Sequence, residues 1–241
     1  ELGGSRGRNS ATGRGVYFST KFLLQEEGKD IKDASVAIQG MGNVGSNAAR
    51  IFYHRDIKVV AVSDVSGGLY KKSGLDITDI SDYLETKGNL LKDYNAPGVE
   101  HITNEELLTC ECDVLIPAAL ENQITAEVAE KVKCSYIIEA ANGPTSEAGD
   151  VVLENRGIPV IPDIFANCGG VIVSYFEWVQ NIQELTWSRE RVNEMLADLM
   201  SKAFMDILSV KKECDCTFRM AAYIVALRKL VYAEEIKGIF P

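Results

Sequence analysis

The sequence predicts an α/β fold: a doubly wound, mostly parallel sheet with helices on both faces. Two observations carry this. Short β-branched runs alternate along the chain with segments of helical apolar spacing. In addition, a glycine cluster stands between the first such run and the helix that follows it.

In chain order, residues 13–27 set Val16, Phe18, Leu23 and Leu24 at helical spacing around Thr20, and Gly28 follows as a C-terminal stop. Ser35-Val36-Ala37-Ile38-Gln39 is a short strand that ends at Gly40. The next helix carries Val44, Ala48, Ile51 and Phe52 on one face, and Lys58-Val59-Val60-Ala61-Val62-Ser63 is a second buried strand, ending at Asp64. Strand, glycine turn, helix and strand make a βαβ unit of about thirty residues. Gly67-Gly68 and Ser73-Gly74 bracket a turn or small hairpin, and residues 77–87 form a helix closed by Gly88. Thr103 and Glu106 have the spacing of a capping box ahead of a short helix.

Three further strands are predicted at Val114-Leu115-Ile116, Tyr136-Ile137-Ile138 and Pro159-Val160-Ile161, with helices over 125–132 and 146–156 between them. Each runs into a small or polar cluster: Pro117-Ala118-Ala119, Ala140-Ala141-Asn142-Gly143 and Pro162-Asp163. Ligands of open α/β sheets bind beyond the carboxyl ends of the strands, so these clusters leave room for one. From Ser188 the chain is helical, with Met195, Leu199, Ala203, Phe204, Ile207 and Leu208 on one apolar side and a last helix over 219–237.

With 241 residues, 46% of them apolar, the chain can bury one sizeable core and is expected to form a single domain over 1–241. No run approaches the ~18 consecutive apolar residues of a membrane span, and the polar, basic opening is no signal peptide. A net charge of −10 repels a phosphate backbone and argues against general nucleic-acid binding. Six cysteines occur, but without C-x-x-C spacing, and the only histidines are His54 and His101. No zinc set can be assembled, so reduced thiols of a cytoplasmic protein and no metal are expected.

Gly40-Met41-Gly42-Asn43-Val44-Gly45 is a G-x-G-x-x-G placed between a strand and a helix. In this setting Gly40 makes the tight turn, Gly42 admits a pyrophosphate to the backbone, and Gly45 lets helix and strand pack closely. The N–H groups of Asn43 and Val44 open the helix toward the phosphates. Asp64, about twenty residues beyond Gly45, ends the second strand where a carboxylate reaches an adenosine ribose. A Rossmann-like dinucleotide site follows. The carboxylate disfavours a 2′-phosphate, so NAD is expected, while Ser66, Lys71 and Lys72 close behind keep NADP open.

Five segments together resemble the glutamate dehydrogenases within the Glu/Leu/Phe/Val dehydrogenase family, over nearly the whole chain. They are Gly3-Gly4-Ser5 with Ala11-Thr12-Gly13, the fingerprint itself, Pro117-Ala118-Ala119 with Asn122-Gln123, Glu139-Ala140-Ala141-Asn142-Gly143-Pro144, and Gly169-Gly170-Val171-Ile172-Val173-Ser174-Tyr175-Phe176-Glu177-Trp178. The likeness is to the small NAD-linked bacterial type. It implies that Thr12 and Asn142 meet the nicotinamide carboxamide and its ribose, and that Ala118 and Ala119 line the cofactor channel. It also implies that Asn167, Val171 and Ser174 face the substrate, with the Ser174 hydroxyl donating to the distal carboxylate of glutamate. Each has a plainer reading: Thr12 as a helix cap, Ser174 bonded to its own helix, Asn142-Gly143 as a turn. Cys168 stands where the family usually has alanine and is expected to be a buried spacer.

The implied reaction is reversible oxidative deamination of L-glutamate to 2-oxoglutarate and ammonium. In the family, a substrate domain supplies the catalytic lysine and aspartate, and no segment here matches its lysine motif. Catalytic residues are therefore expected outside this chain, with 188–241 packing toward that domain. The chain alone is expected to bind nucleotide without turnover, and the full-length form to be a homohexamer. Two alternatives are a leucine-, valine- or phenylalanine-type dehydrogenase, against which Ser174 argues, and a binding-only nucleotide module.

Overall fold

The computed structural model describes residues 4–237; Gly3 of the first family segment and residues 238–241 lie outside them. Among the described residues, seven strands form one sheet in the order β4-β3-β2-β1-β5-β6-β7. Helix α1 (Ala11–Glu26) comes first, then β1 (Ser35–Gln39), α2 (Asn43–Tyr53) and β2 (Lys58–Asp64). The hairpin read from Gly67-Gly68 is real: β3 (Gly67–Tyr70) turns back antiparallel on β2, pairing Gly67 with Asp64 and Tyr70 with Ala61. After α3 (Ile77–Glu85), β4 (Glu100–Ile102) adds an antiparallel edge. The chain then crosses to the other side of β1 through α4 (Asn104–Leu108). There β5 (Val114–Pro117), α5 (Ala126–Lys131), β6 (Tyr136–Ile138), α6 (Glu147–Asn155) and β7 (Val160–Ile161) complete a parallel half. Helices α7 (Asp163–Ala166), α8 (Gly169–Ile182), α9 (Arg189–Cys214) and α10 (Phe218–Lys237) follow.

Strand alternation divides the core in two. Val36, Ile38, Val114, Ile116 and Ile138 point to the face covered by α1, α2, α3, α8 and α9. Ala37, Leu115 and Ile137 point to the face covered by α4, α5 and α6, which contribute Leu107, Ala129 and Leu153. Both faces are apolar because both are covered, and this is why the strands read as continuous runs instead of alternating ones.

Helix starts follow their caps. Asp76, Thr103, Thr125, Ser146 and Ser188 each accept a backbone N–H from the first turn of α3, α4, α5, α6 and α9, and Thr103 with Glu106 closes both halves of the capping box. The apolar side of α9 departs from the sequence reading. Its buried line is Val192, Leu196, Met200, Phe204, Ile207, Leu208 and Val210, while Leu199 is exposed and Met195 only half-buried. The burying face is chosen by contact with α1, α8 and α10, and a helix apolar on more than one side does not reveal that face from spacing alone.

Candidate functional site

The sequence order reverses between β1 and β5, which places a crevice at the carboxyl ends of these strands. The glycine fingerprint is the entire link from β1 to α2. Gly40 has φ +93°, and a Cβ there would lie 3.0 Å from the Ala118 carbonyl oxygen and from Ala119, so only glycine lets the two strand ends meet. A Cβ on Gly45 would fall 1.8 Å from the Gly40 carbonyl oxygen. Gly42, by contrast, has nothing within 4 Å of where a Cβ would stand. It also occupies the N-cap position of α2, which has no side-chain cap. Five helices cap their first turn with a side chain, whereas α2, like α1, α7 and α8, does not, and its first N–H groups are left to an outside acceptor. Open space beside an uncapped helix start fits a pyrophosphate.

Next to this turn is a cleft of about 460 Å³. It collects most of the residues singled out from sequence: Thr12 from α1, Val44 from α2, Ala118 and Ala119 beyond β5, Asn142 beyond β6, and Asn167, Val171 and Ser174 around the start of α8. Small side chains at the ends of β5 and β6 make the floor. Thr12 does not cap α1, whose N-cap position is Ser10. Its hydroxyl instead lies over Gly170, where a Cβ would come within 2.5 Å of it. Asn142 and Gly143 do form a turn, with Gly143 at φ +54° donating its N–H to Asp163 Oδ2 at 2.8 Å. In that turn Asn142 Oδ1 accepts from Asn167 Nδ2 at 2.8 Å. Ser174 Oγ donates to the Gly170 carbonyl at 3.0 Å, the plainer of its two readings, while still lining the cleft.

The cleft also contains Arg8, which the sequence reading passed over. Its Nε lies 3.7 Å from Glu177 Oε2 and its side chain is 43% exposed, so the cation is only loosely engaged. An arginine in a surface glycine-rich segment gives no signal of its own; only the fold brings it beside Thr12 and Ser174.

Asp64 ends β2, one strand over from the cleft, beside Gly40, whose N–H donates to Ser63 Oγ at 3.3 Å. Its carboxylate is already engaged: Oδ1 accepts from the Ser66 N–H at 2.7 Å and from the Ser66 hydroxyl at 2.5 Å, and Oδ2 accepts from the Leu91 N–H at 2.9 Å. A carboxylate has about four acceptor sites, so one remains for a ribose hydroxyl. The lysines behind it are a correction to the sequence reading. The antiparallel course of β3 carries Lys71 away from Asp64 to the amino end of β2, where its N–H bonds Val60 and its ammonium bonds the Pro97 carbonyl. Lys72 follows it. Neither stands at the ribose end of the sheet.

Cys168 is half-buried instead of the buried spacer expected; desolvation still pushes its thiol up to about 11, so it is neutral at physiological pH. All six cysteines are free thiols, the described residues hold no cluster of three or more metal-ligating side chains, and no described helix is long and apolar enough to cross a membrane.

A doubly wound sheet, a glycine turn on an uncapped helix and a cleft at the switch point are the framework of a Rossmann-type fold. The family model for Glutamate/Leucine/Phenylalanine/Valine dehydrogenase matches residues 3–238, and the chain belongs to that family, whose members use a nicotinamide cofactor. It is 48% identical over its whole length to glutamate dehydrogenase A2 of Halobacterium salinarum, of which it spans 58%. It is 45% identical over 98% of its length to the cryptic catabolic NAD-specific glutamate dehydrogenase GudB of Bacillus subtilis, of which it spans 55%. The hetero-hexameric glutamate dehydrogenase from Thermus thermophilus in its Leu-bound form superposes with a TM-score of 0.91 at 31% identity, over 100% of this chain and 56% of that one. The chain thus spans little more than half the length of these relatives.

Proposed function

We propose that this chain is the cofactor domain, a single unit over 1–241, of an NAD-dependent glutamate dehydrogenase that deaminates L-glutamate reversibly to 2-oxoglutarate and ammonium. The observation that carries the reading is the cleft at the β1/β5 switch point, where Thr12, Asn142, Asn167 and Ser174 sit together beside an open glycine turn. The relatives named as glutamate dehydrogenases support the choice of substrate.

In this reading the N–H groups of Asn43 and Val44 take the pyrophosphate across Gly42, with Gly40 and Gly45 shaping the turn, and Asp64 takes the adenosine ribose. Thr12 and Asn142 hold the carboxamide, so the ring presents one face to the substrate, and Ala118 and Ala119 keep the channel wide enough for it. When bound, the nicotinamide supplies the two-electron acceptor. Asn167 and Val171 border the substrate, and the Ser174 hydroxyl rotates from Gly170 to donate to its distal carboxylate. The Arg8 guanidinium adds a cation for the same group. The lysine that activates the carbon centre and the aspartate that moves protons come from a substrate domain against which 188–241 packs, so this chain by itself holds nucleotide without turnover.

NAD is favoured over NADP because Asp64 places a negative charge at the ribose while Lys71 and Lys72 are carried to the far end of β2. A homohexamer in the cytoplasm is the expected setting, in keeping with the free thiols.

The test is turnover by the polypeptide that carries this chain together with its substrate domain. Glutamate should support NAD reduction far better than leucine, valine or phenylalanine. A preference for leucine would replace the glutamate assignment with that of a branched-chain dehydrogenase.

A further inference from the structure

Among the described residues, one carboxylate is wholly buried: Glu139, which directly follows β6 and is 0% exposed. A buried carboxylate is tolerated only when its charge and lone pairs are met. Arg219, in the first turn of α10, meets them with its planar fork, Nη2 donating to Oε1 at 2.8 Å and Nη1 to Oε2 at 2.9 Å. The other edge of the same guanidinium, through Nε and Nη2, holds Asp150 of α6 at 2.7 and 3.0 Å. Burial alone would lower the affinity of Arg219 for its proton, but the two carboxylates more than reverse this, so the pairing stays ionic.

The two acidic partners lead to different places. Glu139 Oε2 also accepts the Asp163 N–H at 3.0 Å. Asp163 in turn accepts the Gly143 N–H on its side chain at 2.8 Å and the Asn167 N–H on its carbonyl at 3.1 Å. Asn167 closes the ring onto Asn142 at 2.8 Å. Asp150 makes no such connection to the cleft; it ties α6 to α10.

We propose that Arg219 is a positioning residue for the nicotinamide end of the cleft, acting through Glu139 and Asp163 to fix the turn that carries Asn142 and the side chain of Asn167. The inference rests on the cofactor reading above. It assigns to the start of α10, where Arg219 hydrogen-bonds Glu139 and Asp150, control over one half of the dinucleotide. The adenosine and pyrophosphate half rests on Gly42 and Asp64, which no link of this network touches. Lysine cannot substitute for arginine here, because a single ammonium cannot match both oxygens of Glu139 and reach Asp150 as well.

The experiment compares Arg219→Lys, Glu139→Gln and Asp150→Asn in the purified chain. NADH is titrated by its fluorescence and ADP by calorimetry, since ADP presents the adenosine and both phosphates without the nicotinamide. Arg219→Lys and Glu139→Gln should weaken NADH roughly tenfold, the value of one well-placed hydrogen bond, with ADP changed by less than about twofold. Asp150→Asn should leave both alone. Parallel loss of NADH and ADP, or equal effects of Asp150→Asn and Glu139→Gln, would mean that the ion pairs only anchor α10, and would overturn the proposal. Glu139→Gln keeps an acceptor for the Asp163 N–H, so if Arg219→Lys does not fold, the comparison still stands on it. Wild-type chain that binds ADP but not NADH would remove the cofactor reading itself, whereas variants with an unchanged NADH-to-ADP ratio would remove only this inference.

Discussion

Replacing Gly45 and Gly42 by alanine, one at a time, separates packing from ligand binding within a single six-residue turn. In Gly45→Ala the new methyl would fall 1.8 Å from the Gly40 carbonyl oxygen. An ordinary contact of this kind is about 3.3 Å, so one side must move by roughly 1.5 Å. Both sides are backbone, and Gly40 is itself held by its bond to Ser63 and its contact with Ala118. Overpacking in a core costs about 1–3 kcal/mol, and a rigid partner puts this case at or above the upper end. At about 2–4 °C per kcal/mol for a domain of this size, the melting temperature should drop by roughly 6–12 °C. Gly42→Ala meets nothing within 4 Å, and the backbone there, at φ −72°, suits any residue. Its melting temperature should stay within about 3 °C, a shift worth no more than about 1 kcal/mol, while NADH binding weakens at least tenfold because the methyl stands where the pyrophosphate approaches. Thermal unfolding and NADH fluorescence on the same preparations give both numbers. A Gly42→Ala chain that binds like wild type, or a Gly45→Ala chain that melts like it, would refute the division of roles.

Three further outcomes are expected. Asp64→Asn keeps most of the acceptors for Ser66 and Leu91 but removes the charge, and should narrow the preference for NADH over NADPH about tenfold, or roughly 1.4 kcal/mol; an unchanged ratio would confine Asp64 to holding its own turn. Ser174→Ala in the full-length enzyme should raise the KM for glutamate about fivefold, the worth of one hydrogen bond of ~1 kcal/mol, and leave leucine kinetics alone; no effect on glutamate would mean that the hydroxyl serves only Gly170. Two desolvated thiols, at half-buried Cys168 and buried Cys134, bear on alkaline stability. With folded values raised to about 11 at Cys168 and about 12 at Cys134, both stay protonated in the fold after the unfolded chain has begun to ionise near 9.0. Their contribution is complete below pH 9 and lost as pH rises toward 11 and 12. Cys168→Ala should therefore flatten the fall in melting temperature between pH 9 and 11, and an identical slope would exclude the thiol as its source.

What could be learned from the sequence follows from how local each signal is. The βαβ unit was legible because strand, glycine turn and helix are contiguous, and the capping box of Thr103 and Glu106 because it acts within one turn of itself. Strand β4 was not, since Glu100-His101-Ile102 has no alternation and exists only because β3 offers it an edge. The reach of Lys71 depended on the direction of β3, which a glycine pair predicts as a turn but not as a reversal carried through to the far end of β2. Arg8 and Arg219 were silent for the same reason. Each acts on residues that the fold brings close and the sequence keeps far apart, Arg219 reaching Glu139 across 80 positions.

The most direct test of the cofactor assignment is titration of the chain with NADH and, separately, with NADPH, following nicotinamide fluorescence. The account predicts saturable NADH binding at least tenfold tighter than NADPH, from the charge at Asp64 and the absence of Lys71 and Lys72 from the ribose end. NADPH binding as tightly as NADH, or neither binding at all, would contradict it.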